Sequence, residues 1–228
     1  MFIQSRAFGR VYEGTYRGQR VAVKQVLDLF EGATFEVLQA SFAQELEVLG
    51  RCEHPNILRI LAACLTPPRP CLVMELMDTS LDKMLHGGGK LLPMPLVMHI
   101  ASEIALGLAY LHPTILHRDL KPGNVLVNDP WGEQPTVKLS DFGLSRLRHT
   151  ALVTTCPEAG TDIYAYGVLL WEMLSGCRPW QGFSPVEIAY QLCQLLKECW
   201  DKVPERRPAA AELAKRLMLV QQGLTDLI

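Results

Sequence analysis

Three short segments carry side chains of the kinds that handle charged oxygen. Lys24 closes the run VAVK, the stretch HRDLKPGN (117–124) holds Asp119, Lys121 and Asn124, and Asp141 opens DFG behind the run VKLS. A lysine ammonium is a compact point charge on a flexible stem, which something must hold in place. Asn124 and Asp141 offer the hard oxygens that Mg²⁺ takes. Asp119 and Asn124 share one tight loop, and Asp141 arrives from a neighbouring turn, so these oxygens can converge. Side chains of these types suit phosphoryl transfer, where positioning and charge neutralisation matter more than covalent help.

The elements that must position them alternate early and turn helical later. Arg10 to Tyr12 and Arg20 to Val26 have strand patterns, with Gly14 and Gly18 marking a turn between them. Phe35 to Leu49 has apolar residues at helical spacing and stops at Gly50. Ile57 to Cys64 and Cys71 to Leu76 read as two more strands, separated by the breaker TPPRP. Helices are expected over Pro95 to His112, Asp162 to Ser175, Pro185 to Trp200 and Ala209 to Gln222, with brief strands at Asn124 to Val127 and Thr136 to Leu139. The expected fold is therefore α+β and bilobal. A small β-rich lobe with one helix (1–76) precedes a larger, mostly helical lobe (77–228), with the hinge near Glu75 to Asp78.

Composition narrows the partners. A net charge of −2 on 228 residues gives no field that favours nucleic acid or an anionic membrane. The longest apolar region, Leu91 to Leu111, is interrupted by His99, Ser102 and Glu103, which suits a buried helix better than a membrane span. Seven cysteines form no CxxC pair and no Cys/His metal pattern, and the N-terminal segment lacks a signal-peptide core. Scattered thiols of this kind point to a reducing compartment and a cytoplasmic location.

Each of the three motifs alone is weak, but together, in this order and on these elements, they are specific. On them the chain resembles a eukaryotic protein kinase domain from about Ile3 to Leu219. The wording DFGLSR, YAYGVLLWEM, RPW and CWDKVPERRP is most similar to the tyrosine-kinase-like group, which mainly phosphorylates Ser and Thr. The resemblance implies Mg-ATP as cosubstrate and a protein Ser/Thr hydroxyl as acceptor. It assigns Lys24 to the α- and β-phosphates, with Glu45 of FAQELEVL as the glutamate that holds it. It makes Asp119 the residue that orients the hydroxyl and accepts its proton, with Lys121 reaching the transferred phosphate. Asn124 and Asp141 become the metal ligands. Gly9, Val11, Ala22 and the backbone of Glu75 and Met77 fall in the nucleotide site, with Met74 at its back. Leu49, Ile60, His117 and Phe142 match an apolar stack across the lobes, and Asp162 matches the aspartate that holds the catalytic-loop backbone.

Three departures from that pattern stand out. The glycine loop G-x-G-x-x-G falls on Gln4, Arg6 and Gly9, so only its last glycine remains. A side chain there hinders close backbone approach to phosphate, and the first strand is expected to be short or missing. Next, GT (160–161) runs directly into DIYAYG, so roughly 20 residues of the substrate platform behind the activation loop are absent. Arg207 of ERRP, which in the family pairs with a glutamate of that platform, is then expected to lack its partner. Finally, PVEIAYQ runs almost directly into LLKECW. Skipped exons or evolved shortening would each produce such losses. They open a second expectation, a catalytically impaired kinase-like protein that binds nucleotide or serves as a scaffold. Thr150, Thr154 and Thr155 are candidate phosphosites, since Arg118 beside Asp119 could pair with an added phosphate.

Overall fold

The computed structural model describes residues 2–6, 9–25, 43, 46–47, 49–66, 70–88, 91–112, 115–142, 146–147, 159–176 and 196–225. The chain opens as an antiparallel sheet of five strands: β1 (Phe2–Arg6), β2 (Gly9–Tyr16), β3 (Gln19–Gln25), β4 (Ile60–Cys64) and β5 (Cys71–Glu75). Their spatial order is β1-β2-β3-β5-β4. Of the two expectations for the first strand, short or missing, the second is corrected, since a five-residue β1 pairs with β2 from Phe2↔Tyr12 to Arg6↔Gly9. Gly14 is also not in a turn. It pairs with Val21 inside β2, and the reversal falls on Arg17 and Gly18 (φ 50° and 80°). Two successive left-handed residues make the tight hairpin turn whose twist matches the flanking strands, and glycine takes the second without strain. Of the helix expected over Phe35 to Leu49, only its last residues are described, and 46, 47 and 49 are helical.

Beyond the sheet come β6 (Thr79–Ser80), helix α1 (Leu81–His86), helix α2 (Met94–Leu111), β7 (Ile115–Leu116), a 3₁₀ turn at Pro122–Asn124, β8 (Val125–Asn128), β9 (Thr136–Leu139) and β10 (Arg146–Leu147). Helix α3 (Ala159–Ser175), a 3₁₀ turn at Pro204–Arg206 and helix α4 (Ala210–Thr225) complete the described elements. Strands β6, β8 and β9 form a second small sheet, and β7 pairs with β10.

Helix α2 is the axis of the larger core. It has the length and apolar composition to cross a bilayer, yet ten of its 18 residues, from Val97 to Leu111, are buried against its neighbours. Gly107 lets a backbone pass close. A Cβ there would come within 3.0 Å of Leu139 and 3.3 Å of Asn56. Around α2 gather Leu81, Leu85, Val125, Leu139, Phe142, Tyr166, Leu170 and Leu217. A separate cluster, Ala22, Leu58, Leu72 and Met74, fills the underside of the five-stranded sheet. Ile60 packs against both clusters. Two cores joined by few shared residues are the bilobal α+β architecture read from the sequence, and the cleft between them holds the polar residues.

Candidate functional site

The cleft is lined by Val11 of β2, Ala22 and Lys24 of β3, Met74 and Glu75 of β5, residues 76–79 of the connection, and Leu126 of β8. Ser140 and Asp141 close its deep end. Val11, Ala22, Met74 and Leu126 make apolar walls, because strand alternation turns these positions inward while their neighbours face away. The backbone order Leu76, Met77, Asp78 carries the chain across the mouth, as expected of the hinge.

Lys24 is only 4% exposed. It sits in the strand pair Lys24↔Leu72, and its Nζ donates to Asp141 Oδ1 at 3.0 Å. Holding a lysine along a strand in this way removes the freedom of its stem. Asp141 has φ 69°, a left-handed conformation that costs a non-glycine residue about 1 kcal/mol. Its neighbours impose it. Ser140 donates both its N–H (2.9 Å) and its Oγ (3.0 Å) to the Asn124 carbonyl. Phe142, fully buried, tilts at 48° against the His117 ring, with centroids 4.7 Å apart. Leu49 and Phe142 belong to the same core cluster, with Ile60 packed on it; of the expected stack, the His117–Phe142 contact is the one seen directly.

The catalytic-loop residues meet around Asp119. Its Oδ2 accepts from Lys121 Nζ at 2.7 Å and from Asn124 Nδ2 at 3.0 Å, and its carbonyl accepts from the same amide at 2.8 Å. The loop itself hangs on Asp162. One carboxylate oxygen accepts the His117 N–H at 2.9 Å and the other accepts the Arg118 N–H at 2.8 Å, with His112 Nε2 3.2 Å away. Burial pushes this carboxyl up, but the hydrogen bonds from His112 and the Arg118 N–H outweigh it and leave it below its ordinary value.

His117 is a neutral ring by both geometry and burial. The Asp119 N–H points at Nδ1 (3.3 Å), so the ring proton sits on Nε2 and faces the Ser140 carbonyl (3.1 Å). Desolvation holds its pKa below the usual histidine value, and the opposing pull of Asp162, Asp119 and Asp141 does not reverse it. A histidine whose folded pKa is depressed binds fewer protons folded than unfolded. Its stabilisation is complete above the unfolded value of about 6.5 and is lost as pH falls below that. Thermal melts at pH 7.5 and 5.5 should show this loss, and His117→Phe should flatten the difference. An equal drop in the variant would refute it.

The structure pairs Lys24 with Asp141 and groups Lys121 and Asn124 around Asp119, the two sets linked through Ser140 and the Asn124 carbonyl, with Val11, Ala22, Glu75 and Met77 on the cleft. Gly9 opens β2 beside the cleft-lining Val11. Glu45, Thr150, Thr154 and Thr155 lie outside the described residues, as does most of Pro185 to Trp200. One expectation is corrected. Helix α3 begins at Ala159, three residues before the expected start at Asp162, and alanine is the best helix former. The platform glutamate that in the family pairs with Arg207 lies outside the described residues, and Arg207 has other contacts. Its Nε donates to the Asp201 carbonyl at 2.9 Å and its guanidinium lies over the Tyr164 ring at 5.2 Å.

Other residues of the site escaped the sequence. The Glu75 carboxylate accepts the Arg59 N–H at 2.7 Å and meets Lys138 Nζ at 2.9 Å, tying the back of the hinge to β9. Asp78 exchanges hydrogen bonds with the end of β8. Its N–H donates to Asn128 Oδ1 (2.8 Å), and its carboxylate accepts the Asp129 N–H (2.9 Å). A turn aspartate and the asparagine-aspartate pair 50 residues later leave no local pattern by which to pair them.

A bilobal fold with this cleft, lysine–aspartate pair and suspended loop is that of a protein kinase domain. The chain belongs to the protein kinase domain family, whose pattern matches residues 5–219. It is 35% identical to a probable serine/threonine-protein kinase of Dictyostelium discoideum over 92% of its own length and 26% of the relative's. It is 33% identical to the serine/threonine/tyrosine-protein kinase HT1 of Arabidopsis thaliana (96% and 66%). With human mitogen-activated protein kinase kinase kinase 11 the identity is 32% (92% and 29%). The chain thus spans a quarter to two thirds of the length of these relatives. The Dictyostelium comparison extends over 246 positions but includes only 0.92 × 228 ≈ 210 residues of this chain, so about 36 positions have no counterpart here.

Proposed function

We propose that this chain is a protein serine/threonine kinase that uses ATP with Mg²⁺. The observation that carries the reading is the Lys24–Asp141 pair at one end of an apolar-walled cleft, tied through Ser140 to Asn124, whose amide bonds Asp119. The cleft fits a nucleotide in two respects. Ser80 Oγ is buried in its lining without a partner, a donor that a ligand oxygen would satisfy. Asp141 and the Asn124 amide oxygen would offer a partial oxygen shell, as suits Mg²⁺ held jointly with phosphates.

In this reading Val11, Ala22 and Leu126 hold the base, and the Glu75 carbonyl and Met77 backbone fix its polar edge. The nucleotide supplies the γ-phosphoryl group, and the cation neutralises its charge. Lys24 holds the phosphates by charge. Asp119 orients the acceptor hydroxyl and takes its proton, while Lys121, 2.7 Å from that carboxylate, reaches the transferred phosphate. Glu45 is proposed to hold Lys24, and Gly9 to let the β1–β2 turn approach the phosphates. Residues 1–76 and 77–228 then act as the two lobes of a single domain, in the cytoplasm.

The test is γ-phosphoryl transfer from ATP to a generic basic protein, with Mg²⁺ or with EDTA. Transfer to Ser or Thr that EDTA abolishes supports the assignment. A second reading, nucleotide binding without turnover, is favoured by the helical start at Ala159 and the 36 uncounterparted positions. It predicts a melting shift with Mg-ATP and no transfer. Neither shift nor transfer would defeat both.

A further inference from the structure

Cys64 and Cys71 are direct register partners, the last pair of the β4–β5 hairpin before its connecting loop. Both are unbridged, Cys64 exposed and Cys71 half-buried. Strand β4 is the outer strand of the sheet, so the pair lies where a small reagent can reach it. The Cys71 sulfur also contacts the Cys64 backbone by a hydrogen bond and senses the Cys64 thiol. Cys199, by contrast, is buried with its thiol pushed up to about 12, chiefly by desolvation, which makes it inert.

We propose that Cys64 and Cys71 form a reversible intrachain disulfide, a thiol-modification site that adjusts the nucleotide cleft. Opposed residues on antiparallel strands have Cβ atoms about 4.5–5.5 Å apart, and a disulfide needs about 3.5–4.5 Å. The strands must therefore close by roughly 1 Å, near enough to bridge without refolding and strained enough to be reduced again. The oxidant is a small disulfide of the glutathione type. The exposed Cys64 thiolate attacks one of its sulfurs, giving a mixed disulfide and releasing one glutathione thiolate. The Cys71 thiolate then attacks the Cys64 sulfur and releases the second. Two electrons pass from the cysteine pair to the reagent, and the two cysteine protons end on the two glutathione thiols. Burial raises the Cys71 thiol, which slows closure and favours the reduced pair at rest.

The consequence for the cleft follows from register. Cys71 pairs on its other side with Gln25, and the next pair is Leu72↔Lys24. Met74, three residues on, lines the cleft. Contraction at the hairpin end is thus passed to the strand that holds Lys24. This coupling rests on the nucleotide reading above, whereas the thiol site does not.

The full chain is equilibrated in glutathione buffers of rising oxidised fraction, and its peptides are mapped without reduction. A Cys64–Cys71 linked peptide should appear with loss of two of the seven thiols, reversed by dithiothreitol. Cys71→Ser should instead accumulate a glutathione adduct on Cys64. A fluorescent ATP analogue should bind the oxidised wild type with a Kd changed about fivefold or more, and Cys64→Ser should be insensitive. No linked peptide at any ratio overturns the site. A linked peptide with unchanged Kd overturns the coupling. Absence of analogue binding to the reduced protein overturns the coupling together with the nucleotide reading, while the mapping alone decides the thiol site.

Discussion

Asp141→Asn is expected to lower phosphoryl transfer by about 10²–10³-fold or more while leaving the protein folded. The magnitude is that of removing one preorganised charge from a site built around developing negative charge. Two losses combine here, the carboxylate that would ligate the cation and the fixed partner of the 4% exposed Lys24. The substitution suits the backbone, because asparagine tolerates the left-handed φ of 69° better than other side chains. Its amide oxygen can also still accept from Lys24, which limits the stability cost to about 1.5–3 kcal/mol, the range for hydrogen bonds to charged groups. Initial rates on a basic protein, with a thermal melt of the same preparation, measure both effects. Unchanged transfer by the variant would remove Asp141 from the chemistry. A matched collapse of rate and melting temperature would show only that the protein had unfolded. If the chain binds nucleotide without turnover, the same variant should abolish the part of the melting shift that depends on Mg²⁺.

The sequence was informative where function needs residues close together along the chain. HRDLKPGN carries Asp119, Lys121 and Asn124 within six positions, so a single 3₁₀ turn suffices to bring Lys121 and Asn124 to 2.7 and 3.0 Å from the Asp119 carboxylate. Helix α2 was legible for a related reason, since its apolar period repeats over five turns. The ties that hold the hinge were not legible. Glu75 meets Lys138 across 63 residues, and Asp78 meets Asn128 across 50, and neither pairing leaves a trace in local propensity. Gly14 misled because glycine marks turns and also sits within strands. Only the left-handed pair at Arg17 and Gly18 decides where the hairpin reverses. The start of α3 misled too. The apolar pattern begins near Asp162, yet Ala159, Gly160 and Thr161 already belong to the helix. The Arg207 guanidinium lies over Tyr164 of that same helix.

The largest stability effect is expected at Asp162, where the helical lobe grips the catalytic loop. Asp162 is 1% exposed and accepts from two successive backbone N–H groups. In Asp162→Ala both donors are left without an acceptor, at about 1–3 kcal/mol for each that stays buried. His117 is fully buried, and Arg118 carries a left-handed φ of 64° that the carboxylate helps to hold. A total loss of about 3–5 kcal/mol follows, and each kcal/mol lowers the melting temperature by about 2–4 °C in a chain of this size. Asp162→Asn should fall between, since one amide oxygen can serve one of the two donors. The pH dependence carries a second signature. A carboxyl held below its ordinary value when folded stabilises fully above its unfolded value of about 3.9, and the stabilisation fades as pH falls below that. The wild type should therefore lose stability steeply below about pH 4, and both variants less so. Function should separate from nucleotide binding, because Asp162 is absent from the cleft lining. At a temperature where Asp162→Asn remains folded, kcat should fall with the KM for ATP little changed, as Arg118 and Asp119 lose their fixed backbone. A rise in that KM with kcat intact would place the effect in the cleft and refute the loop-holding role.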